Sequence, residues 1–439
     1  MKEGENIPNY NIFNVKAENN KSQIYASNEG NIIPVASDIN GAVHVQLFDS
    51  AGRTENLPLT AFKDLRVAEL HPVTGYTINY NINSDLLKVS CDEGGTVYCN
   101  NSKAVLETTA ALPETSITAK METVRVLRYQ SGLGAQARFT AIFTTGVANS
   151  TQLIGIGDTT DGFFFGYNGT TFGILRLQNG TPNWTDQSNW NGDKVDSTGD
   201  SGVTLDTTKG NVYTIQYQWL GFGVITFWIA NPTTGDFILV HTIRYPNNNT
   251  TPSIYNPTLP LMAKVEKTSG SSNIILQTSS GIGLVEGPID YSAIVTRNSV
   301  SNSVESINDT ETNIITIKNN NNFQEKTNRV RIRLDYLSVS TDGSKPVTIK
   351  MIKNATVSGD YTDINENTSV VSYNKIGTLT ATTGTNLLVF KLGKAESNQL
   401  FVGSLDIQLE PGSTFTVSAV SSSGSGSQVD VGLSWIELW

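Results

Sequence analysis

Only two cysteines and three histidines occur in the 439 residues. A zinc centre needs several closely spaced Cys or His ligands, and a disulfide-stapled scaffold needs many more cysteines. His44, His71 and His241 stand far apart, and neither Cys91 nor Cys99 has a neighbouring histidine. No metal and no cofactor is therefore expected. Charge is also scarce: Asp, Glu, Lys and Arg make up 16% of the chain, against ~25% in an average globular protein. Long solvated helices would want those residues, so a helical fold is disfavoured. The formal net charge is −10. Phosphate backbones are held by clustered Lys and Arg, so no nucleic-acid partner is expected. The pair Arg125 and Arg128 reads as strand-face charge. The longest apolar run, Leu220–Ala230, is broken by Gly221 and Gly223 and covers about half of the ~20 residues that span a bilayer. Membrane insertion is not expected. The opening MKEGENIPNY lacks the apolar core of a cleaved secretion signal. Heptads, Gly-X-Y tracts and fixed-period repeats are missing too.

Catalytic strings are equally sparse. No Ser stands in G-x-S-x-G, and no Ser or Cys has a local His. A glycosidase needs two facing carboxylates. Here the nearest approach is Glu286 and Asp290 in VEGPID, where an intervening proline favours a turn. The expectation from these absences is that the chain is not an enzyme. Asp158 and Asp161 in GIGDTTDGFFFGYNG have the oxygen donors calcium favours. Asp beside Gly is more economically read as turn chemistry.

What the chain has is short strands punctuated by Gly, Asn, Asp and Pro. Phe139, Ala141 and Phe143 alternate with Arg138 and Thr140; Tyr213, Ile215, Tyr217 and Trp219 alternate with Thr214, Gln216 and Gln218. That is the period of a strand with one buried face. Val224–Ile229 is apolar on both faces, and the Pro232–Asp236 turn leads into Phe237–Ile243. The pattern predicts an all-β, multi-domain chain: a jelly-roll sandwich of the concanavalin or laminin-G type over residues 120–290, then a smaller C-terminal β-sandwich over 323–439. Residues 1–60 read as an N-terminal arm or adaptor, or a loose terminus, with weak strand signals at Asn31–Ala36 and Ala42–Phe48. Residues 61–119 read as a bridging β region, and 291–322 as a linker leading to an edge strand. In the C-terminal sandwich, Val330, Ile332, Leu334 and Tyr336 alternate with Arg331, Arg333 and Asp335, placing Tyr336 on the buried side. A loop at Gly94–Thr96 would set Cys91 opposite Cys99 on a hairpin, which leaves a disulfide open.

One stretch suggests a ligand. PNWTDQSNWNGDKVD is polar and turn-rich, and it holds Trp184 and Trp190 with Asn191 and Asp193. An indole face beside amide and carboxylate groups suits a glycan. A loop tryptophan that plugs the end of the sandwich is the alternative.

The strings Arg125–Phe143 (RVLRYQSGLGAQARFTAIF), Gly155–Arg176, Trp190–Asp196, Leu205–Gly210 and Gly210–Tyr245 resemble a recurrent region of structural proteins from tailed phages and large DNA viruses. KNATVSGDYTDINENTSVVSYN, LEPGSTFTVSA and LSWIELW are similar to the terminal domain of such proteins. Together these strings cover about half the chain. The resemblance implies a virion location and a capsid or tail fibre or surface-decoration role, with display toward the host. By analogy it also implies a homotrimer whose partners are other capsid or tail proteins and a host-surface glycan. It implies no catalytic residues. A carbohydrate-binding adhesin is the alternative, and a polysaccharide-degrading enzyme with dispersed carboxylates stands last.

Overall fold

The computed structural model describes residues 25–28, 31–34, 69–92, 94–109, 116–270, 272–287, 295–343, 345–421 and 426–439. The chain divides into a unit of residues 1–68 and a unit of residues 69–439. In the first, the described part is a hairpin of Tyr25–Asn28 and Asn31–Pro34. The expected strand at Ala42–Phe48 lies outside the described residues.

The second unit is all-β and holds two sandwiches. In the central one, a seven-stranded antiparallel sheet runs in the order Thr181–Asp186, Thr171–Gln178, Gly162–Asn168, Ser150–Gly157, Leu261–Lys267, Ile117–Thr123, Leu87–Cys91. It faces a nine-stranded sheet whose middle strands are Ile225–Ala230, Asn211–Tyr217 and Ala135–Phe143. Local chemistry explains the meander. Asn101 and Ser102, with φ of 48° and 55°, make the two-residue loop between Gly95–Asn100 and Lys103–Thr108. Asn179 and Gly180, with φ of 47° and 78°, make the next such loop. Two positive-φ residues give a turn whose twist matches that of the strands, and Asn and Gly tolerate it best.

Between the sheets lies an aromatic core. Phe163 and Phe165 alternate inward from one sheet, and Tyr213, Tyr217 and Phe227 from the other; all are buried. Each such ring contributes roughly 1.5–3 kcal/mol by leaving water. Phe164, on the opposite face of its strand, joins Leu153, Leu175 and Met262 in a separate small cluster. Its ring lies where a Cβ on Gly157 would stand, so Gly157 cannot carry a side chain there without displacing it.

Three boundaries differ from those expected. The described strands of 61–119 are part of the central sandwich: Leu70–Thr77 pairs with Ser280–Glu286, and Leu87–Cys91 with Ile117–Thr123. Val295–Ile307, expected as linker, is an edge strand thirteen residues long, paired with the last strand, Ser427–Leu438. Thr312–Asn319 is an interior strand of the other C-terminal sheet. The C-terminal sandwich therefore begins near residue 295. Its four main front strands run Val295–Ile307, Ser427–Leu438, Arg331–Thr341, Ser397–Phe401. Its core is closed by Trp435, Phe415 and three isoleucines, Ile314, Ile315 and Ile317.

Glu437 is fully buried in that core. It accepts hydrogen bonds from Trp435 Nε1 (3.1 Å), Asn298 Nδ2 (2.8 Å), Ser369 Oγ (2.6 Å) and the Val370 amide (3.1 Å). A buried carboxylate is tolerated only when its oxygens are satisfied in this way.

The two sandwiches are tied together. Arg329 forms an ion pair with Asp158, both side chains largely buried. Arg331 Nη2 donates to the Val126 carbonyl of the central sandwich at 3.5 Å, while its Nε lies 2.9 Å from Glu410 Oε1 within the C-terminal sandwich, both groups buried. The pairing is close in distance, but Arg331 Nε and Glu410 Oε1 lack hydrogen-bond alignment.

Candidate functional site

The residues singled out around Trp184 do not form one exposed surface. Trp190 is 2% exposed. It meets Phe165 and Phe172 edge-to-face, each at 6.2 Å between centroids, and its Nε1 donates to the Thr185 carbonyl at 3.3 Å. It is the plug of the sandwich. Trp184 lies on the edge strand Thr181–Asp186, half-buried against the Phe164 cluster. The Asn191 amide accepts from the Thr242 backbone N–H and donates to its carbonyl, both at 2.8 Å, as a neighbouring strand would. The Asp193 carboxylate accepts from the Val195 and Ser201 amides, both at 2.8 Å, and so braces its own loop. Three of the four side chains, those of Trp190, Asn191 and Asp193, are spent on folding.

Other sequence signals resolve similarly. Asp158 Oδ1 accepts from the Thr160 and Asp161 amides (2.7 and 2.9 Å), and Asp161 Oδ1 accepts from Asn179 (3.0 Å) and Tyr255 (2.8 Å). These carboxylates organise turns. Glu286 accepts from the Gly134 amide at 3.1 Å, and Asp290 lies outside the described residues. Arg125 and Arg128 flank Leu127, which makes an isolated bridge to Leu259. Arg125 is exposed, whereas Arg128 is buried rather than on a strand face. Cys91 and Cys99 are free thiols on strands of opposite sheets, so the expected hairpin between them does not form. Among the described residues no group of three or more His, Cys, Asp or Glu is placed to hold a metal.

One exposed surface carries a large side chain, Tyr336, that simple strand alternation would place inside. The strand Arg331–Thr341 changes register against Ser427–Leu438 between Leu334 and Tyr336. The extra residue is Asp335, which is buried and paired with Arg297. A bulge of this kind reverses which side chains face out. Leu337 and Val339 point into the core, and Tyr336 turns to solvent, 54% exposed. Its register partner Phe401 is 55% exposed, with the two ring centroids 5.0 Å apart. Leu405, on the turn that follows, is 53% exposed. Beyond the rings Ser301, Gly432, Ser338 and Gln399 form one cross-strand row, small except at Gln399. This row and Tyr336 line a shallow trough of about 450 Å³. At its far end Asp430 accepts from Ser303, Gln428 and Ser340, which holds its carboxyl below the usual aspartate range.

No protein-family model matches the chain, and no curated protein matches it. Solved structures similar to it include a glycoside hydrolase family protein from Mycobacterium thermorestibile (12% identity, TM-score 0.34, 48% of this chain and 99% of that one). They also include a Bacillus licheniformis β-glucanase (11%, TM-score 0.31, 49% and 99%). A third is arcelin-5, a lectin-like defense protein from Phaseolus vulgaris (10%, TM-score 0.31, 49% and 99%). None of the three reaches a TM-score of 0.5, and no activity or ligand is carried from them to this chain. They do require one correction. The expectation that the chain is not an enzyme rested on missing catalytic strings. With glycosyl hydrolases among the similar structures, that exclusion does not stand.

Proposed function

We propose that this chain is a structural subunit of a virus particle, a capsid or tail fibre or surface-decoration protein displayed on the virion. The observation that carries the reading is the Tyr336–Phe401 ring pair, both more than half exposed and 5.0 Å apart on one sheet face, with Leu405 exposed on the turn that follows the strand of Phe401. Contiguous apolar surface of this kind marks a contact with another macromolecule. The strings that resemble virion proteins support the same reading, since they supply the core strands Ala135–Phe143, Gly162–Asn168 and Asn211–Tyr217. The ion pair joining the sandwiches favours a stiff two-part subunit, as display requires. In this proposal the patch is covered by a further copy of the chain in a homotrimer, and other capsid or tail proteins hold the assembly. Light scattering on the purified full chain at micromolar concentration tests it. A stable oligomer is expected, and a monomer throughout overturns it.

A second reading, carbohydrate binding, is favoured by a cavity away from the Trp184–Asp193 loop.

A further inference from the structure

We infer that the cleft between the two sandwiches binds a carboxylated sugar. This rests on the carbohydrate-binding reading, whose ligand class it names, and does not depend on the assembly role.

Three segments build the cleft. One wall is the hairpin of Asn322–Phe323 and Lys326–Thr327, closed by Gln324 and Glu325 at φ of 44° and 63°. That turn is compact and stiffens a short arm. The opposite wall belongs to the central sandwich and includes Arg128, Asn256 and Thr258, and the floor is the end of the last strand, at Leu438 and Trp439. The open cleft has a volume of about 370 Å³, within the ~300–1,000 Å³ of small-molecule sites.

The lining specifies the ligand. Arg128, Lys326 and Arg329 face the cleft, and no Asp or Glu lines it, although the chain as a whole carries −10. Arg329 is engaged by Asp158 on one side, which leaves Lys326, on the exposed hairpin, as the mobile partner for an incoming carboxylate. Beside the cations stand two rings. Phe323 and Trp439 meet edge-to-face at 5.3 Å between centroids, and Trp439 remains 39% exposed. Its Nε1 donates to Thr296 Oγ1 at 2.9 Å, which fixes the indole plane. A fixed, partly open indole suits the apolar face of a pyranose. The Asn256 and Gln324 amides and the Thr258 hydroxyl supply partners for ring hydroxyls. Cations without rings would suit any small anion, and rings without cations would suit a neutral sugar. Their juxtaposition selects a sugar bearing a carboxylate.

Calorimetric titration of the full chain at low ionic strength tests this with four probes: sialyllactose, a galacturonate oligomer, lactose and inorganic sulfate. Saturable binding of at least one carboxylated sugar is expected, weakened about tenfold or more in Lys326→Gln and in Trp439→Ala and reduced by added salt. Lys326 is exposed, so its variant keeps the fold, and matching melting curves verify this for both variants. The inference is overturned if neither carboxylated sugar binds, if lactose binds as well, if sulfate alone matches the sugar, or if Lys326→Gln binds like the parent chain.

Discussion

Tyr336 and Phe401 stand side by side on the solvent face of the C-terminal sandwich because Asp335 occupies a bulge one residue earlier. Both rings are more than half exposed, so replacing them should leave the fold nearly unchanged, within about 0.5 kcal/mol for surface positions. Their loss should act on association instead. The double variant Tyr336→Ser, Phe401→Ser is expected to shift the oligomer to monomer in light scattering, with an unaltered melting curve.

Trp190 and Trp184 should behave differently from each other. Truncating the buried Trp190 leaves a cavity among Phe165 and Phe172, and large aromatic truncations of this kind cost about 3–5 kcal/mol. Trp190→Ala should lower the unfolding free energy from urea denaturation by that amount, and Trp184→Ala by clearly less. Equal effects would mean that the Trp190 ring is not packed as described.

The Arg329–Asp158 pair should couple the melting of the two sandwiches. Burial draws the Arg329 guanidinium below its usual pKa, partly offset by the nearby Glu122 charge. Removing one partner of a largely buried pair strands the other charge, at about 3 kcal/mol or more. Asp158→Asn retains the Oδ1 that accepts from Thr160 and Asp161, so the turn survives while the pair is lost. Scanning calorimetry should show one transition in the parent chain and two in the variant. A single, unshifted transition would show that the pair carries no coupling.

His241 should impose a dependence on pH. Burial, and then the Arg244 charge, lower its pKa from the ordinary 6.5, and its Nδ1 accepts from the Asn191 backbone N–H at 3.3 Å. As pH falls through 6.5 the unfolded chain takes up this proton and the folded chain does not, so stability drops until the lower folded pKa is passed. Above the unfolded value the contribution is flat. His241→Gln should remove this component, so the stability difference between the two proteins should change between about pH 7 and pH 5 and stay constant above. A pH-independent difference would contradict it.

Much of the fold was legible because strand alternation is local. Tyr213, Ile215 and Tyr217 are buried as their period of two required. Tyr336 was misplaced because a bulge reverses the parity of every later residue and leaves no mark in composition. The strands of 61–119 were read as a separate bridge because their partners are distant: Leu70–Thr77 pairs with Ser280–Glu286. The Cys91–Cys99 turn resembled a hairpin but carries the chain from one sheet to the other. Trp190 sits in a stretch with no alternation, so its burial depends on Phe165 and Phe172 brought from elsewhere. The inter-sandwich cleft draws residues from around 128, 256, 326 and 439, which no local pattern brings together.

Electron microscopy of purified virus particles, decorated with an antibody against the C-terminal sandwich, tests the structural-subunit proposal most directly. Regularly spaced label on the particle surface, in constant copy number from particle to particle, is expected. Particles that are infectious and complete yet carry no label, with the chain missing from their protein content, would contradict it.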